Sequence, residues 1–275
     1  MKAVLEIVPV GLDTGKCNLV FEINNEGFSY AIKLNDENAY VAAAVFQTDK
    51  STGDEDYSVI LQNELQRQSI LSGNFKKISI MHSFGESVLI PYSLYSSGEN
   101  GNALNLIHGD IPGNMSVLTD VITEKRMYNS YRVSTPVLSI IQTKFPAAVN
   151  MHQHSVLLKK APAAGSRLSI IFYRKKMVLT LDKGGNAQFI NTFSYDTAED
   201  VLYILLNTCR QFEADNIPVE ISGLLEINSS LSKVIHQYFS TVSFTKLPEG
   251  PGYSEEIMKH PSHYISYIFA VDSCG

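Results

Sequence analysis

His152 and His154 stand two residues apart, the spacing that puts both imidazoles on one face of a strand, where they could serve as two ligands of a metal ion. A usable site needs a third ligand. His108 with Asp110, or His260 with His263, would have to supply it from a distance in sequence, so surface or loop histidines are the expectation and metal binding is not. Lys183-Gly184-Gly185 has the look of a phosphate loop, yet it lacks the Walker spacing and the Ser or Thr that should follow, and it reads as a tight hairpin instead. No Gly-x-Ser-x-Gly elbow is present. Cys209 lies in an apolar helical stretch and reads as core packing. The basic run Arg174-Lys175-Lys176 falls where a turn between strands is expected and reads as a solvated hairpin tip. Asp54-Glu55-Asp56 reads as a solvated connection at a helix start, where negative charge is favoured.

The elements that would position these residues follow from periodicity. Leu19–Ile23, Phe28–Lys33 and Tyr40–Phe46 read as three strands joined by Asn24-Asn25-Glu26-Gly27 and Asn35-Asp36-Glu37-Asn38. A helix follows from near Asp56, with Tyr57, Ile60, Leu61, Leu65 and Leu71 on its apolar side and Gly73 placed to end it. Lys77–Met81 reads as a strand, Pro91–Tyr95 as a short helix, Ser96–Asn102 as a loop and Asn114–Val121 as a strand. Thr135-Pro136 reads as a hydroxyl cap with proline at the first helical position, and Pro146 as the stop. His154–Lys160 reads as a short helix and Pro162–Gly165 as a hinge.

The second half repeats the theme. Leu168–Phe172, Met177–Leu181 and Gln188–Phe193 read as strands, and Asp196 with Glu199 as a capping box opening a helix to about Phe212. Val219–Ser222, Asn228–Phe239 and Val242–Thr245 read as strand, helix and strand, which implies a mixed sheet covered by helices. Leu247–Gly252 reads as a turn-rich linker, and the apolar tail His263–Val271 should dock back. Laid over each other, Leu19-Val20-Phe21 falls on Leu168-Ser169-Ile170 and Tyr30–Ile32 on Leu179–Leu181. After a one-residue slip, Asn38-Ala39 falls on Asn186-Ala187. That duplication suggests the actin-like ATPase architecture, two related halves of the ribonuclease H-like kind.

The 275 residues, 44% hydrophobic and 18% charged with 13 Phe, 14 Tyr and no Trp, suit one large domain or two packed ones. A formal charge of −6 argues against broad nucleic-acid binding. Cys17, Cys209 and Cys274 are odd in number and far apart, so no disulfide framework is expected and a reducing cytoplasm is. The first residues carry no signal-peptide core, and no stretch approaches the ~20 apolar residues of a membrane span.

Glu26-Gly27-Phe28-Ser29-Tyr30-Ala31-Ile32, Leu89-Ile90-Pro91 with Leu94, Val219-Glu220-Ile221-Ser222-Gly223, His263-Tyr264-Ile265-Ser266 and Cys274 resemble a family of uncharacterised Bacteroidota proteins, domain of unknown function 3822, over nearly the whole chain. The resemblance implies an actin-like ATPase fold, with a first half at 1–161 carrying an inserted segment at about 84–130, and a second half with its tail at 162–275. In working members of that fold each half opens with a hairpin in which an acidic residue and glycines close on phosphate and Mg²⁺. The first half here reads Glu22-Ile23-Asn24-Asn25-Glu26-Gly27, so Glu22 could imitate the acid, while Asn24 stands where glycine is wanted. The second half reads Phe172-Tyr173-Arg174-Lys175-Lys176, with neither acid nor glycine, and the adenosine-side glycine pair is reduced to Gly223. Glu22, Gly27 and Gly223 are therefore the only remnants of a nucleotide site; no catalytic residue, cofactor or metal is expected. The implied role is a non-catalytic protein-binding or scaffolding domain with an unknown protein partner, as in related domains of pilus and secretion machines. The alternatives are a divergent kinase or ATPase with Glu22 on the Mg²⁺ side, or a binder of another small ligand in the cleft between halves.

Overall fold

A computed structural model describes residues 1–48, 54–98, 100–110, 113–160, 165–269 and 271. The chain divides into two compact units, Met1–Lys160 with Glu249–His260 and Ile268–Gly275, and Ala161–Pro248 with Pro261–Tyr267.

In the first unit the apolar alternation from residue 19 onward produces the expected meander. Its strands are β2 (Cys17–Asn24), β3 (Gly27–Leu34) and β4 (Ala39–Gln47), all antiparallel neighbours. The outer edge of β4 carries β1 (Lys2–Ile7). Beyond β2 lie β5 (Lys77–His82) and β9 (Val149–His152), both parallel to it. Leu19, Phe21, Ile23, Phe28, Tyr30 and Phe46 point to one face. They meet Tyr57, Leu61 and Leu65 of α1 (Asp54–Arg67) and Val137 and Ile141 of α3 (Thr135–Lys144). Phe21 and Phe28 stack with ring centroids 5.4 Å apart, and Phe28 and Phe46 at 4.9 Å. Burial of these large rings is the main source of stability in the unit.

A second sheet in the same unit orders β6 (Ser87–Pro91), β8 (Met127–Ser134) and β7 (Met115–Ile122), all antiparallel. Arg132 of β8 is buried and ties the neighbouring α2 (Asn100–His108) down, donating to Asn105 Oδ1 at 2.7 Å and to the Gly109 carbonyl at 2.7 Å. It also pairs with Glu86 at 2.8 Å. The sequence reading treated part of α2 as loop and missed β6 and β8. In β8 the buried residues run from Asn129 to Ser134, and only Tyr131 and Val133 among them are apolar, so the apolar alternation is too short to mark a strand. β1, β9 and two tail elements, β15 (Gly252–Tyr253) and α7 (Glu255–Met258), were missed as well. β15 begins at Gly252, the last residue of the expected linker, and pairs parallel with Ala39 and Tyr40. The tail docks through short helical turns, and Phe269 settles against Tyr40 at 4.2 Å between centroids.

The second unit is one five-stranded sheet in the order β12 (Asn186–Ser194), β11 (Lys176–Lys183), β10 (Arg167–Phe172), β13 (Val219–Gly223), β14 (Val242–Phe244). Its core joins Leu168, Ile170, Leu179 and Ile221 to Val201 and Leu205 of α5 (Ala198–Gln211) and Ile235 of α6 (Ser230–Tyr238).

The duplication holds down to register. Leu19 faces Ile32 and Phe21 faces Tyr30 in the first meander; Leu168 faces Leu181 and Ile170 faces Leu179 in the second. Each meander carries a bulge at the same place, after Ile32 and after Leu181. The third strands differ in offset from what the sequence suggested. Leu34 faces Ala39 and Lys183 faces Asn186, so Ala39 corresponds to Asn186. The first turn holds Asn35–Asn38 and the second only Gly184-Gly185, a slip of two residues instead of one.

Three local expectations move. α1 stops at Arg67, a separate 3₁₀ turn spans Ser69–Ser72, and Gly73 has an ordinary φ of −73°. Gly73 is there because a Cβ would strike the Thr14 side chain, so close approach explains it and not a left-handed cap. α3 begins at Thr135 after Ser134, whose hydroxyl makes no cap bond, while the Thr135 hydroxyl pairs with Ser116 at 2.8 Å. The capping box of α5 is Thr197 with Asp200, one residue beyond Asp196 and Glu199. Thr197 Oγ1 accepts from the Asp200 N–H at 3.1 Å and Asp200 Oδ2 from the Thr197 N–H at 2.9 Å. Two backbone bonds and the Thr197 hydroxyl hold the Asp200 carboxyl below the usual range. Residues 162–164 of the expected hinge, the side chains of Asp54-Glu55-Asp56, and Cys274 lie outside the described residues.

Candidate functional site

The first hairpin turns at Asn25-Glu26 between β2 and β3 and is held from within. Asn24 Oδ1 accepts from the Glu26 N–H at 2.8 Å, and the Glu26 carbonyl accepts from the Thr48 N–H at 2.7 Å. The Tyr57 hydroxyl shares its proton between the carbonyls of Asn24 at 2.6 Å and Gly27 at 3.0 Å. Burial, then the charges of Glu22 and Glu26, push that phenol far above its ordinary pKa, so it stays a donor. Glu22 lies mid-sheet, opposite Ser29 and Met81, with 0% exposure. A Cβ on Gly27 would collide with the Phe46 carbonyl oxygen, so sheet packing alone requires glycine there.

The second hairpin has the same length. Tyr173 N–H donates to the Lys176 carbonyl at 2.8 Å around an Arg174-Lys175 tip. It is not the fully solvated tip expected. Lys175 is exposed and pairs with Asp196 at 2.8 Å, whereas Lys176 is buried with its ammonium 4.6 Å from the Tyr173 ring centre. Behind it, β13 ends at Gly223, opposite Phe172, with φ +82°. A Cβ there would strike the Phe172 carbonyl, which the next residue's N–H, Leu224, binds at 2.7 Å. The matching first-unit position is His82, opposite Ile23, with Ser83 N–H bound to the Ile23 carbonyl at 2.9 Å. The duplication thus places Gly223 and His82 at one equivalent point.

Against known proteins, residues 12–242 match the family model described as protein of unknown function, DUF3822. The chain belongs to this family. No curated protein sequence matches that of this DUF3822 member. Among solved structures it is similar to a protein of Bacteroides thetaiotaomicron with an actin-like ATPase fold and unknown function, at TM-score 0.75 and 17% identity, over 95% of this chain and 97% of that one. It is also similar to the PilM–PilN type IV pilus biogenesis complex, at TM-score 0.62 and 11% identity over 94% and 98% of the two chains. A third is the ethanolamine utilization protein EutJ from Carboxydothermus hydrogenoformans, at 0.52 and 8% over 94% and 89%. The DUF3822 chain has the actin-like ATPase fold.

A buried polar cluster lies at the ends of β5 and β9, where His82 faces His152. Asn150 donates to the Ala148 carbonyl at 3.0 Å, which leaves its Oδ1 to accept from His82 Nε2 at 2.9 Å. His82 Nδ1 is buried without a partner, and burial lowers the pKa to about 4 against the opposing pull of the Asn150 bond. His152 is bonded at both ring nitrogens. Nε2 donates to the Phe84 carbonyl at 2.8 Å, and Nδ1 accepts from the His154 N–H and Asn129 Nδ2, each at 3.1 Å. Asp120 accepts from the His152 backbone N–H at 2.6 Å and from the Tyr131 hydroxyl at 3.3 Å. Burial raises its pKa while bonds from Ser155, His152 and Tyr131 pull it down.

Ser155, His152 and Asp120 are the residue types of a nucleophilic triad in a different wiring. Asp120 holds backbone and hydroxyl groups instead of the imidazole, Asn129 Nδ2 donates to Ser155 Oγ at 3.0 Å, and Ser155 and His152 are fully buried. The arrangement pins β7, β8, β9 and α4 (Gln153–Lys159) together. Sequence reasoning missed Asp120, Asn129 and His82 here; the one signal was Asp120, a carboxylate beside Val117, Leu118, Val121 and Ile122 in β7.

His152 and His154 do not share a strand face. His152 ends β9 and caps α4, His154 sits in the helix with Nδ1 2.8 Å from Ser87 Oγ, and the rings meet edge-on. His108 Nε2 bonds the Ser87 carbonyl at 3.2 Å, and in the second unit His263 Nε2 bonds the Leu225 carbonyl at 3.0 Å. Among the described residues, no group of three His, Cys, Asp or Glu could hold a metal ion. Burial pushes the Cys209 thiol up, with Asp215 adding to it, as a core thiol requires. Lys183-Gly184-Gly185 is a hairpin turn with φ +58° and +77° at its glycines, the primed-turn geometry. Lys183 Nζ donates to the carbonyls of Phe212 at 2.9 Å and Glu213 at 3.2 Å, just past the end of α5. No helix among the described residues is long and apolar enough to cross a membrane.

Proposed function

We propose that this DUF3822 protein is a non-catalytic actin-like domain that works by binding another protein. The reading rests on one observation: in the hairpin that should present its amides to phosphate, the N–H at the tip residue Glu26 is bonded to the Asn24 side chain. The flanking carbonyls are taken by Tyr57 and Thr48, and Glu22 is sealed in the sheet. The second hairpin substitutes Arg174 and Lys175 for an acid that would hold Mg²⁺. PilM, a structural neighbour, is described in a type IV pilus biogenesis complex with PilN, and a protein partner for this chain is argued by that analogy of fold. Thermal denaturation with and without MgATP tests the reading. Saturating nucleotide at 100 times its Kd would add about 2.7 kcal/mol, or about 5 °C or more for a chain of this size. The expected shift is zero; a rise of several degrees overturns the proposal.

A further inference from the structure

The tail enters the second unit only briefly. Glu249–His260 and the chain from Ile268 onward belong to the first unit, and the short run Pro261–Tyr267 between them belongs to the second. Both flanks are seated in the first unit. Before the run, β15 pairs with β4 and the Ser254 N–H donates to the Tyr40 carbonyl at 3.0 Å. After it, Ile268 and Phe269 are buried, and Phe269 meets Tyr40.

In the second unit β10, β13 and β14 run parallel, so their carboxyl ends lie together at Phe172, Gly223 and Phe244. The run Pro261–Tyr267 reaches all three. Tyr267 packs edge-on against Tyr173, the residue after β10, at 5.8 Å between ring centroids. His263 Nε2 donates to the carbonyl of Leu225, just past Gly223, at 3.0 Å. Beyond β14, the Ser262 hydroxyl donates to the Thr245 carbonyl at 3.1 Å, and the Ser266 and Thr245 hydroxyls bond each other. The His263 ring also lies 4.6 Å from that of Phe244.

The carboxyl ends of parallel strands are where open α/β sheets take their ligands. Here a stretch of the same chain stands in that place, with His263, Ile265 and Tyr267 all buried. None of the three belongs to the apolar core that joins the sheet to α5 and α6. The sheet and its helices therefore have their core without the loop, and the loop acts as a cover over the strand ends.

We propose that Pro261–Tyr267 is the resident occupant of the second unit's ligand face, an autoinhibitory loop that fills the strand ends from within the chain. Tethered on both sides, it faces those ends at high effective concentration, so any molecule bound there must first displace it.

Hydrogen exchange of the full chain, read by mass spectrometry, tests this role. Two variants release the loop: His263→Ala combined with Tyr267→Ala, and a flexible Gly-Ser stretch of equal length in place of Pro261–Tyr267. In both, amides at 224–228 and 243–247 should exchange at least about tenfold faster than in the unaltered chain, while β11 and α5 keep their protection. The dye anilinonaphthalene sulfonate should bind the released variants and not the unaltered protein, since Tyr173 and Phe244 then lose their cover. Unchanged exchange at the strand ends without dye binding overturns the proposal, because the loop then covers nothing. Loss of protection throughout 167–244 in both variants overturns it too, because the loop is then part of the unit's core. The nucleotide reading stands apart, since its readout is the melting of the unaltered chain with MgATP.

Discussion

Gly223 and His82 occupy one ladder position in two copies of the same motif, and nothing in their side chains is shared. In the second unit the chain turns sharply after β13 with φ +82°, and the Phe172 carbonyl fills the space of a Cβ. In the first unit the same ladder ends without a left-handed residue and holds a whole imidazole, 0% exposed and bonded to Asn150. The same backbone bond follows in both, from Ser83 to Ile23 and from Leu224 to Phe172. The hydrogen-bonded ladder is therefore what the duplication preserves. The chemistry at the strand ends is free to diverge, to a glycine in one unit and a buried imidazole in the other.

Truncating the shared core should give the largest effects. Phe21 and Ile170 are equivalent and fully buried, so Phe21→Ala should cost about 3–5 kcal/mol and Ile170→Ala about 2–5 kcal/mol in urea denaturation. A loss below about 1 kcal/mol at either site would break the equivalence. Gly223→Ala should cost about 2–5 kcal/mol from left-handed strain plus the backbone collision. Gly184→Ala, with open space around it, should cost only about 1–2 kcal/mol.

The imidazole at the Gly223-equivalent position makes a pH prediction that the second unit cannot share. His82 titrates at about 4 when folded and near 6.5 when unfolded. Between those values the unfolded chain binds the extra proton, so stability is intact above about pH 6.5 and falls as pH drops toward 4, by on the order of 3 kcal/mol in all. His82→Gln should flatten that part of the stability–pH curve, and an unchanged curve would remove the assignment. The smallest contrast concerns helix starts. Thr197→Ala removes a two-way capping box and should cost about 1 kcal/mol. Ser134 makes no cap bond, so Ser134→Ala should cost α3 no cap energy.

Both meanders, the helices that cover them and the two-residue hairpins were legible from residue types, because one face of each strand is apolar and the turns carry Gly, Asn and Asp. β8 was not, since only Tyr131 and Val133 of its buried residues are apolar, while Asn129, Ser130 and Arg132 are buried with partners from β9, β7 and α2. The short pieces β1, β9 and β15 were invisible for another reason: each is a strand only because a neighbour offers it an edge.

Residue pattern by itself determined the doubled meander-and-helix unit, which suggested the actin-like ATPase architecture, and a second hairpin with neither acid nor glycine; the DUF3822 family entered through resemblance. Register identity, the two-residue slip, the reasons for Gly27, Gly73 and Gly223, and the triad types wired as a structural pin were decided only by tertiary structure. Local sequence fixes which residues alternate and where the chain turns. Which carbonyl fills a glycine's missing side chain depends on segments far apart in sequence meeting in space.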